Sequence, residues 1–287
     1  MSKKNSSVNL KNNFQDFKDL SNIFVNFRNK LDLLNKKSYV VAVSGGPDSL
    51  ALVALTQFYK LHKKTKFEYL LVDHNIRKNS HQEAKKVKNL LKKKKINLKI
   101  LVNKKKITKN IQAEARIARY DIISNYCKQN KIQTILTAHN LEDQVETFFI
   151  RLSRGSGLKG LSSMKELSKI ATKVNLFRPL LDVKKLFLIQ ISKKIFGNFI
   201  KDPSNKNEKF LRTKIRNLKK PLESSGIKYE QIFKSIQNLS LSKLTLQEYL
   251  NRTFDELIKK KGREISINIK KNIKLNNEIK IAVINES

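Results

Sequence analysis

A chain of 287 residues with 39% hydrophobic content can bury one large core or two modest ones. Its 61 Lys and Arg against 24 Asp and Glu give a net charge of +37, which points to a polyanionic partner such as nucleic acid, although abundant Lys, Asn and Ile also fit an A/T-rich coding sequence. No apolar run has the length of a membrane span, Met1-Ser2-Lys3-Lys4-Asn5 leads into no signal-peptide core, and a single cysteine, Cys127, excludes an internal disulfide framework and any cysteine-ligated metal cluster.

Residues 1–12 are polar. Phe14, Phe17, Leu20, Phe24, Phe27, Leu31 and Leu34 recur at three- and four-residue spacing, which predicts an amphipathic packing helix. From residue 38 strands and helices alternate: strand 38–43, helix 48–62, strand 67–73, and a helix from Ser80 with Glu83 placed for a capping box. Strand 97–102, a helix over about 110–130, strand 134–138 and helix 141–152 follow. Repeated β-α units build an α/β fold, a parallel Rossmann-like sheet with helices on both faces, and its ligands sit at the carboxyl ends of the strands. Ser44–Ser49, Asp73–Arg77 and His139–Asp143 all fall at that end.

After residue 153 the pattern changes. Gly155, Gly157 and Gly160 lie in a stretch rich in Arg, Ser and Lys, followed by a strand or hairpin at about 168–177 and a helix near 183–195. Asp202-Pro203-Ser204-Asn205 reads as a turn before a basic helix, 208–219, stopped by Pro221. One or two helices cover about 228–261, with strands expected at 264–270 and 278–284. This divides the chain into an N-terminal extension and packing helix (1–37), a catalytic domain (38–221) and a small helical or α+β region (222–287).

The run Tyr39-Val40-Val41-Ala42-Val43-Ser44-Gly45-Gly46-Pro47-Asp48-Ser49-Leu50 carries the chemistry. A β-branched strand empties into a glycine turn and then a helix, so loop amides converge beside a positive helix end. Ser44 and Ser49 can donate to phosphate oxygens, and Asp48 suits such a site when a cation such as Mg²⁺ lies between. No Lys follows the glycines at the Walker A position. The segment resembles the PP-loop, Ser-Gly-Gly-x-Asp-Ser, of the N-type ATP pyrophosphatase superfamily. That resemblance implies cleavage of ATP between its α- and β-phosphates, with Ser44, Gly45, Gly46, Pro47, Asp48 and Ser49 around the pyrophosphate.

Further segments resemble the tRNA(Ile)-lysidine synthetase family, in its order, over roughly residues 38–221. They are Asp73-His74-x-x-Arg77, Asn110 to Tyr120 with Arg116 and Arg119, Ala138-His139-x-x-Glu142-Asp143-Gln144-x-Glu146-Thr147, Arg154-Gly155-Ser156-Gly157-Leu158-x-Gly160-Leu161, Arg178-Pro179-Leu180-Leu181 and Asp202-Pro203-Ser204-Asn205. The resemblance implies a cytoplasmic ligase that uses ATP and Mg²⁺ to adenylate the first anticodon cytidine of a CAU-anticodon tRNA(Ile). Free L-lysine then displaces AMP.

It assigns Asp48 and Asp143 to the metal, Asp73 and His74 to the nucleotide, and His139 to the α-phosphate or proton transfer; a structural role is the alternative for either histidine. Arg116 and Arg119, three apart on a helix, can reach one target, or pair with Glu114 or Asp121; Arg116 is preferred for catalysis. Arg151, Arg154 and Lys159 form either a mobile flap over substrate or a solvated basic loop. Arg212 and Arg216 can contact phosphate, but Thr213 replaces the family's usual Asn, and Glu142 stands where Asp is usual. Other PP-loop activities, a tRNA thiolase or an amidotransferase-type synthetase, and an inactive RNA-binding protein remain as alternatives; thiolases generally use paired cysteines.

Overall fold

The computed structural model describes residues 18–76, 79–200, 210–261, 264–267, 275–277 and 279–281. Helix α1 (Lys18–Leu34) precedes β1 (Ser38–Ala42), α2 (Pro47–His62), β2 (Lys66–Asp73), α3 (Ser80–Lys93) and β3 (Leu98–Val102). Then come α4 (Ile111–Gln129), β4 (Thr134–Leu136), α5 (Leu141–Leu152), a short α6 (Leu158–Leu161), and the hairpin β5 (Leu167–Ala171) and β6 (Val174–Phe177). The described chain continues with α7 (Lys185–Phe196), α8 (Leu211–Asn217), α9 (Lys219–Ser224), α10 (Tyr229–Leu257), β7 (Ile258–Lys261) and β8 (Glu264–Ile267).

The main sheet has six strands in the order β3-β2-β1-β4-β6-β5. All pairs are parallel except the β5–β6 hairpin. Strand β1 is central: the chain leaves it on one side to build β2 and β3 and returns to its other side as β4. That reversal opens a crevice at the carboxyl ends of β1 and β4, where open α/β sheets bind ligands.

Period-two alternation covers both faces. Tyr39, Val41, Val43, Tyr69 and Leu71 point to a core shared with α1, α2, α3 and α7 through Phe27, Leu31, Leu50, Val87 and Leu188. Val40, Leu70, Ile135 and Leu176 face the other way, against Ile123 and Cys127 of α4. Among the described residues no helix is long and apolar enough to cross a membrane.

The described residues form two compact units, within Met1–Glu146 plus Met164–Pro221 and within Thr147–Ser163 plus Leu222–Ser287. Thus 147–163, read above as part of the catalytic domain, groups with the C-terminal region. In that unit Lys243 of α10 donates to Lys159 O at 3.3 Å and to Ser162 Oγ at 3.3 Å, fastening α6 to the long helix.

Several local expectations change. The capping box from Ser80 does not form, because Asn79 is the N-cap and no side chain caps the end of α3. Pro221 does not stop a helix; it lies in the first turn of α9, where its missing N–H needs no intrahelical acceptor. Of the strand expected at 264–270, the described residues form β8 (Glu264–Ile267), which pairs antiparallel with β7, a segment whose sequence suggests helix. Residues 279–281 are helical rather than extended. Phe14, Phe17, Arg77 and Asp202–Asn205 lie outside the described residues.

Gly45 has φ of +83°, and an added Cβ would lie 2.4 Å from Val87 Cγ2 of α3. At Gly46 the nearest atom to such a Cβ is Ser44 Oγ at 3.7 Å. Gly45→Ala is therefore expected to lower unfolding stability by roughly 1 kcal/mol or more, while Gly46→Ala stays within about 0.5 kcal/mol of wild type in urea denaturation.

Candidate active site

Strand β1 ends where Val43 N–H donates to Leu70 O at 2.8 Å, and the chain then turns through Ser44, Gly45 and Gly46 into α2. Ser49 organises this loop. Its Oγ accepts from Ser44 N (3.2 Å) and Gly45 N (3.1 Å) and donates to Gly46 O (3.0 Å). Ser44 Oγ also reaches Ser49 Oγ at 3.2 Å. Extended Gly46 is the N-cap and Pro47 follows at the helix start, so the positive end of α2 lies at the loop. Ile200 N donates to Gly45 O at 3.0 Å and secures the turn from a second segment.

Asp48 is in the first turn of α2, and its Oδ1 is buried without a hydrogen-bond partner. The facing cation is Lys185, at the start of α7, with Nζ 3.8 Å from Asp48 Oδ2. Burial chiefly raises the Asp48 pKa to about 6; Lys185 pulls against that rise, while the charges of Asp143 and Glu142 add to it. A carboxylate kept short of donors beside another carboxylate is suited to a cation. Among the described residues no three His, Cys, Asp or Glu side chains cluster as metal ligands. Asp48 and Asp143 could therefore supply only part of an octahedral shell.

Across the crevice, Asn140 and Asp143 cap α5 reciprocally: Asn140 N donates to Asp143 Oδ2 (3.2 Å), and Asp143 N donates to Asn140 Oδ1 (3.0 Å). Glu142 takes another direction. Its Oε2 accepts Lys185 N at 2.8 Å and its Oε1 approaches Lys219 Nζ at 3.3 Å. The extra methylene relative to Asp lets it hold the start of α7, and with it the Lys185 ammonium.

His139 is half-buried, with Nδ1 hydrogen-bonded to Thr137 Oγ1 at 2.9 Å. Desolvation lowers its pKa; Asp143 counters this, while Arg116, Arg178 and Arg212 reinforce it, so the imidazole is neutral. His74 is lowered to about 4 by burial and then by Arg119, and both its ring nitrogens are buried without a partner. Arg116 and Arg119 thus act on different histidines. Arg116 is exposed, with its guanidinium 5.2 Å from the Tyr120 ring centroid. Asp73, at the end of β2, accepts Asn75 N at 2.9 Å and lies 3.4 Å from His81 Nδ1. These contacts hold Asp73 below its usual carboxylate range although burial opposes them.

Arg212 and Arg216, one helical turn apart on α8, converge on Glu146, whose side chain is 3% exposed. Arg212 Nε donates to Oε2 at 2.8 Å, Arg216 Nε to Oε1 at 2.5 Å, and Arg216 Nη2 to Oε2 at 3.1 Å. Asp143 Oδ1 lies 3.7 Å from Arg212 Nη2 and 4.0 Å from Arg216 Nη2. Thr213 between them is buried, its amide bonded to Phe210 O at 2.9 Å. Arg151 is engaged inside the other unit, where Nη1 donates to Gly160 O (2.7 Å) and Ser163 O (2.9 Å). It braces the glycine segment, whereas Arg154 and Lys159 are exposed.

The structure thus places Ser44–Ser49, Asp48 among them, and His139 and Asp143 after the equivalent ends of β1 and β4, with Asp73 and His74 after β2 and with Arg212 and Arg216 of α8 reaching Asp143 and Glu146. Sequence reasoning did not single out Lys185, Asn140 or Thr137, and it quoted Glu146 within a motif without giving it a role. Glu146 carried a signal: it follows Asp143 by three residues on a helix, and Arg212 and Arg216 share a face four apart. Lys185 had none, since its relation to Asp48 exists only after α2 and α7 pack.

A loop, helix end and carboxylate arranged in this way at a sheet reversal define a PP-loop nucleotide-binding domain. A family model of that description, the PP-loop domain, matches residues 14–222. A tRNA(Ile)-lysidine synthase of Orientia tsutsugamushi is 36% identical over 82% of this chain and 53% of its own. Its counterpart in Zymomonas mobilis is 33% identical over 77% of this chain and 67% of its own. The chain belongs to the PP-loop family and, within it, to the tRNA(Ile)-lysidine synthases. It spans 53–56% of the length of the first relatives it matches, from Orientia and Wolbachia. The U34-tRNA thiolase NcsA of Methanococcus maripaludis shares the fold, with a TM-score of 0.64 and 18% identity over 77% of this chain and 78% of its own.

Two outcomes follow. Glu146→Gln leaves two arginines facing a neutral amide and is expected to cost roughly 2 kcal/mol in denaturant melts. The pKa of Asp48 is raised on folding, so its penalty is absent below about pH 4 and complete above about pH 6. Asp48→Asn should therefore raise the Tm of ligand-free protein by about 2–4 °C at neutral pH and leave it unchanged near pH 4, measured by calorimetry.

Proposed function

We propose that this chain ligates L-lysine to the 2-position of the cytidine at the first anticodon position of tRNA(Ile) with a CAU anticodon. It does so with ATP and Mg²⁺ and converts AUG reading to AUA reading. The supporting observation is the crevice between β1 and β4, where the glycine loop and the first turn of α2 present Asp48, whose Oδ1 is buried without a hydrogen-bond partner, together with the acidic start of α5. Membership in the lysidine synthase family supplies the substrate class.

In this reading Ser44 and the amides of Gly45 and Gly46 bind the outer two phosphates of ATP. Asp48 and Asp143 would hold Mg²⁺, which when bound would offset phosphate charge. Lys185 supplies the cation that a Walker loop carries within its own sequence. Asp73 and the unpaired ring edge of His74 line the adenosine side. The cytidine O2 attacks the α-phosphorus, the P–O bond to the β-phosphate breaks, and pyrophosphate departs. The ε-amine of lysine then forms a bond to C2, and the C2–O bond breaks with AMP leaving.

Arg116, exposed at the rim, meets charge at the α-phosphate. Neutral His139, with Nδ1 fixed by Thr137, presents Nε2 for a hydrogen bond to phosphate or for the amine proton, according to its tautomer. Thiolase chemistry is not favoured: the lone Cys127 is buried and its thiol pushed up to about 12.

With ATP, Mg²⁺ and radiolabelled lysine, CAU-anticodon tRNA(Ile) should acquire label, while methionine CAU tRNA should not. Pyrophosphate release without labelled RNA would overturn the reading. Asp48→Ala should reduce adenylation below detection with tRNA affinity within about twofold of wild type, since it removes a metal ligand and not an RNA contact.

A further inference from the structure

Between Glu83 and Glu114 the chain holds twelve lysines and no acid. This stretch makes one edge of the sheet: α3, the edge strand β3, and the segment 103–110 that leaves the carboxyl end of β3. Lys85, Lys86, Lys88, the run Lys92–Lys95, Lys104–Lys106 and Lys109 are all exposed, and none forms an ion pair with a described residue. Only Lys99 is neutralised, by Glu68 at 2.9 Å. Elsewhere in this unit Lys30, Lys63, Lys66, Lys185 and Lys219 each face a carboxylate, while Lys36, Lys37, Lys60 and Lys64 are exposed at scattered positions.

Local structure explains part of this charge. Lys92 and Lys93 occupy the last turn of α3, where the helix dipole favours cations. A lysine on an edge strand, such as Lys99, blocks pairing with another sheet. Neither effect reaches Lys85, Lys86 and Lys88, which precede the last turn of α3, or Lys104–Lys109 beyond β3. Lys85 with Lys88, and Lys88 with Lys92, are like charges at helical spacing, which weakens the isolated helix. An A/T-rich gene supplies lysines but does not empty this stretch of acids.

Geometry gives the patch a direction. Asn103 N donates to Asp73 O at 2.8 Å, which places Lys104–Lys106 at the carboxyl ends of the strands beside the nucleotide side of the crevice. Helix α3 runs back, so Lys92–Lys95 lie at the opposite end of β3, about 17 Å away by the rise of a five-residue strand. We propose that this edge is a docking track for the phosphate backbone of the substrate tRNA, from the crevice rim to the amino ends of the strands. The proposal rests on the tRNA-modifying reading of the same crevice. Such contacts position RNA without reading its sequence.

The test measures tRNA affinity against salt for wild-type protein and for two variants, one with Lys92, Lys93, Lys94 and Lys95 changed to Gln, the other with Lys104, Lys105 and Lys106 changed to Gln. A control changes Lys36, Lys37, Lys60 and Lys64 to Gln, removing a similar charge from exposed positions elsewhere in the unit. The track variants should bind about tenfold or more weakly at about 0.1 M salt, with the log–log slope falling by roughly 0.7–0.9 for each phosphate no longer neutralised. The control should stay within about twofold, and all variants should keep ATP–Mg²⁺ binding and circular dichroism.

Equal weakening in the control would show bulk charge rather than a surface, and unchanged track variants would remove the surface; either overturns the proposal. Unaltered tRNA affinity with abolished binding to phosphatidylserine vesicles would assign the edge to a membrane and overturn it too. Wild-type protein that binds tRNA with the expected slope but never incorporates lysine would defeat the ligase reading and leave the track standing.

Discussion

A carboxylate placed where protein donors do not satisfy it is the constraint on which this site depends. Asp48 faces one ammonium at 3.8 Å and has one buried oxygen without a partner. Such an arrangement is unfavourable in the free protein, and burial accordingly raises the pKa of Asp48 to about 6. The neighbouring charges are arranged around it. Glu142 restrains Lys185, Asp143 is fixed by capping its own helix, and Glu146 gathers Arg212 and Arg216.

The sheet makes this arrangement possible. Reversal of strand order at β1 places the ends of β1 and β4 together, so two loops more than ninety residues apart in sequence share one crevice. Val87 against Gly45 and Ile200 on Gly45 O fix the loop from outside, which turns a short glycine segment into a defined surface. Apolar residues pack on both faces of the sheet, and the polar residues of the site gather at the carboxyl ends of its strands.

Much of this was legible because it is local. The order of strands and helices through residue 152 follows from apolar periodicity, and the loop from Ser44 to Ser49 follows from its glycines and the strand before it. The capping box failed because Asn79 took the cap position, a choice of one residue that propensity does not decide. The end of α10 was misjudged because residues 258–261 continue a polar, lysine-rich pattern that suits a helix or an edge strand equally; pairing with β8 decides it.

The electrostatic partnerships were hidden for a different reason. Arg212 and Arg216 read as phosphate contacts because their acidic partner lies 66 and 70 residues away. Lys185 gave no sign of its role, and Arg151, whose sequence suggests a substrate contact, braces carbonyls nine and twelve residues on. The most direct test of the central claim is exchange of labelled pyrophosphate into ATP, assayed with each substrate omitted in turn. Exchange that requires Mg²⁺ and CAU-anticodon tRNA but not lysine is expected, because the base is activated first. Exchange that requires lysine and proceeds without tRNA would mean that the amino acid is activated instead, contrary to this account.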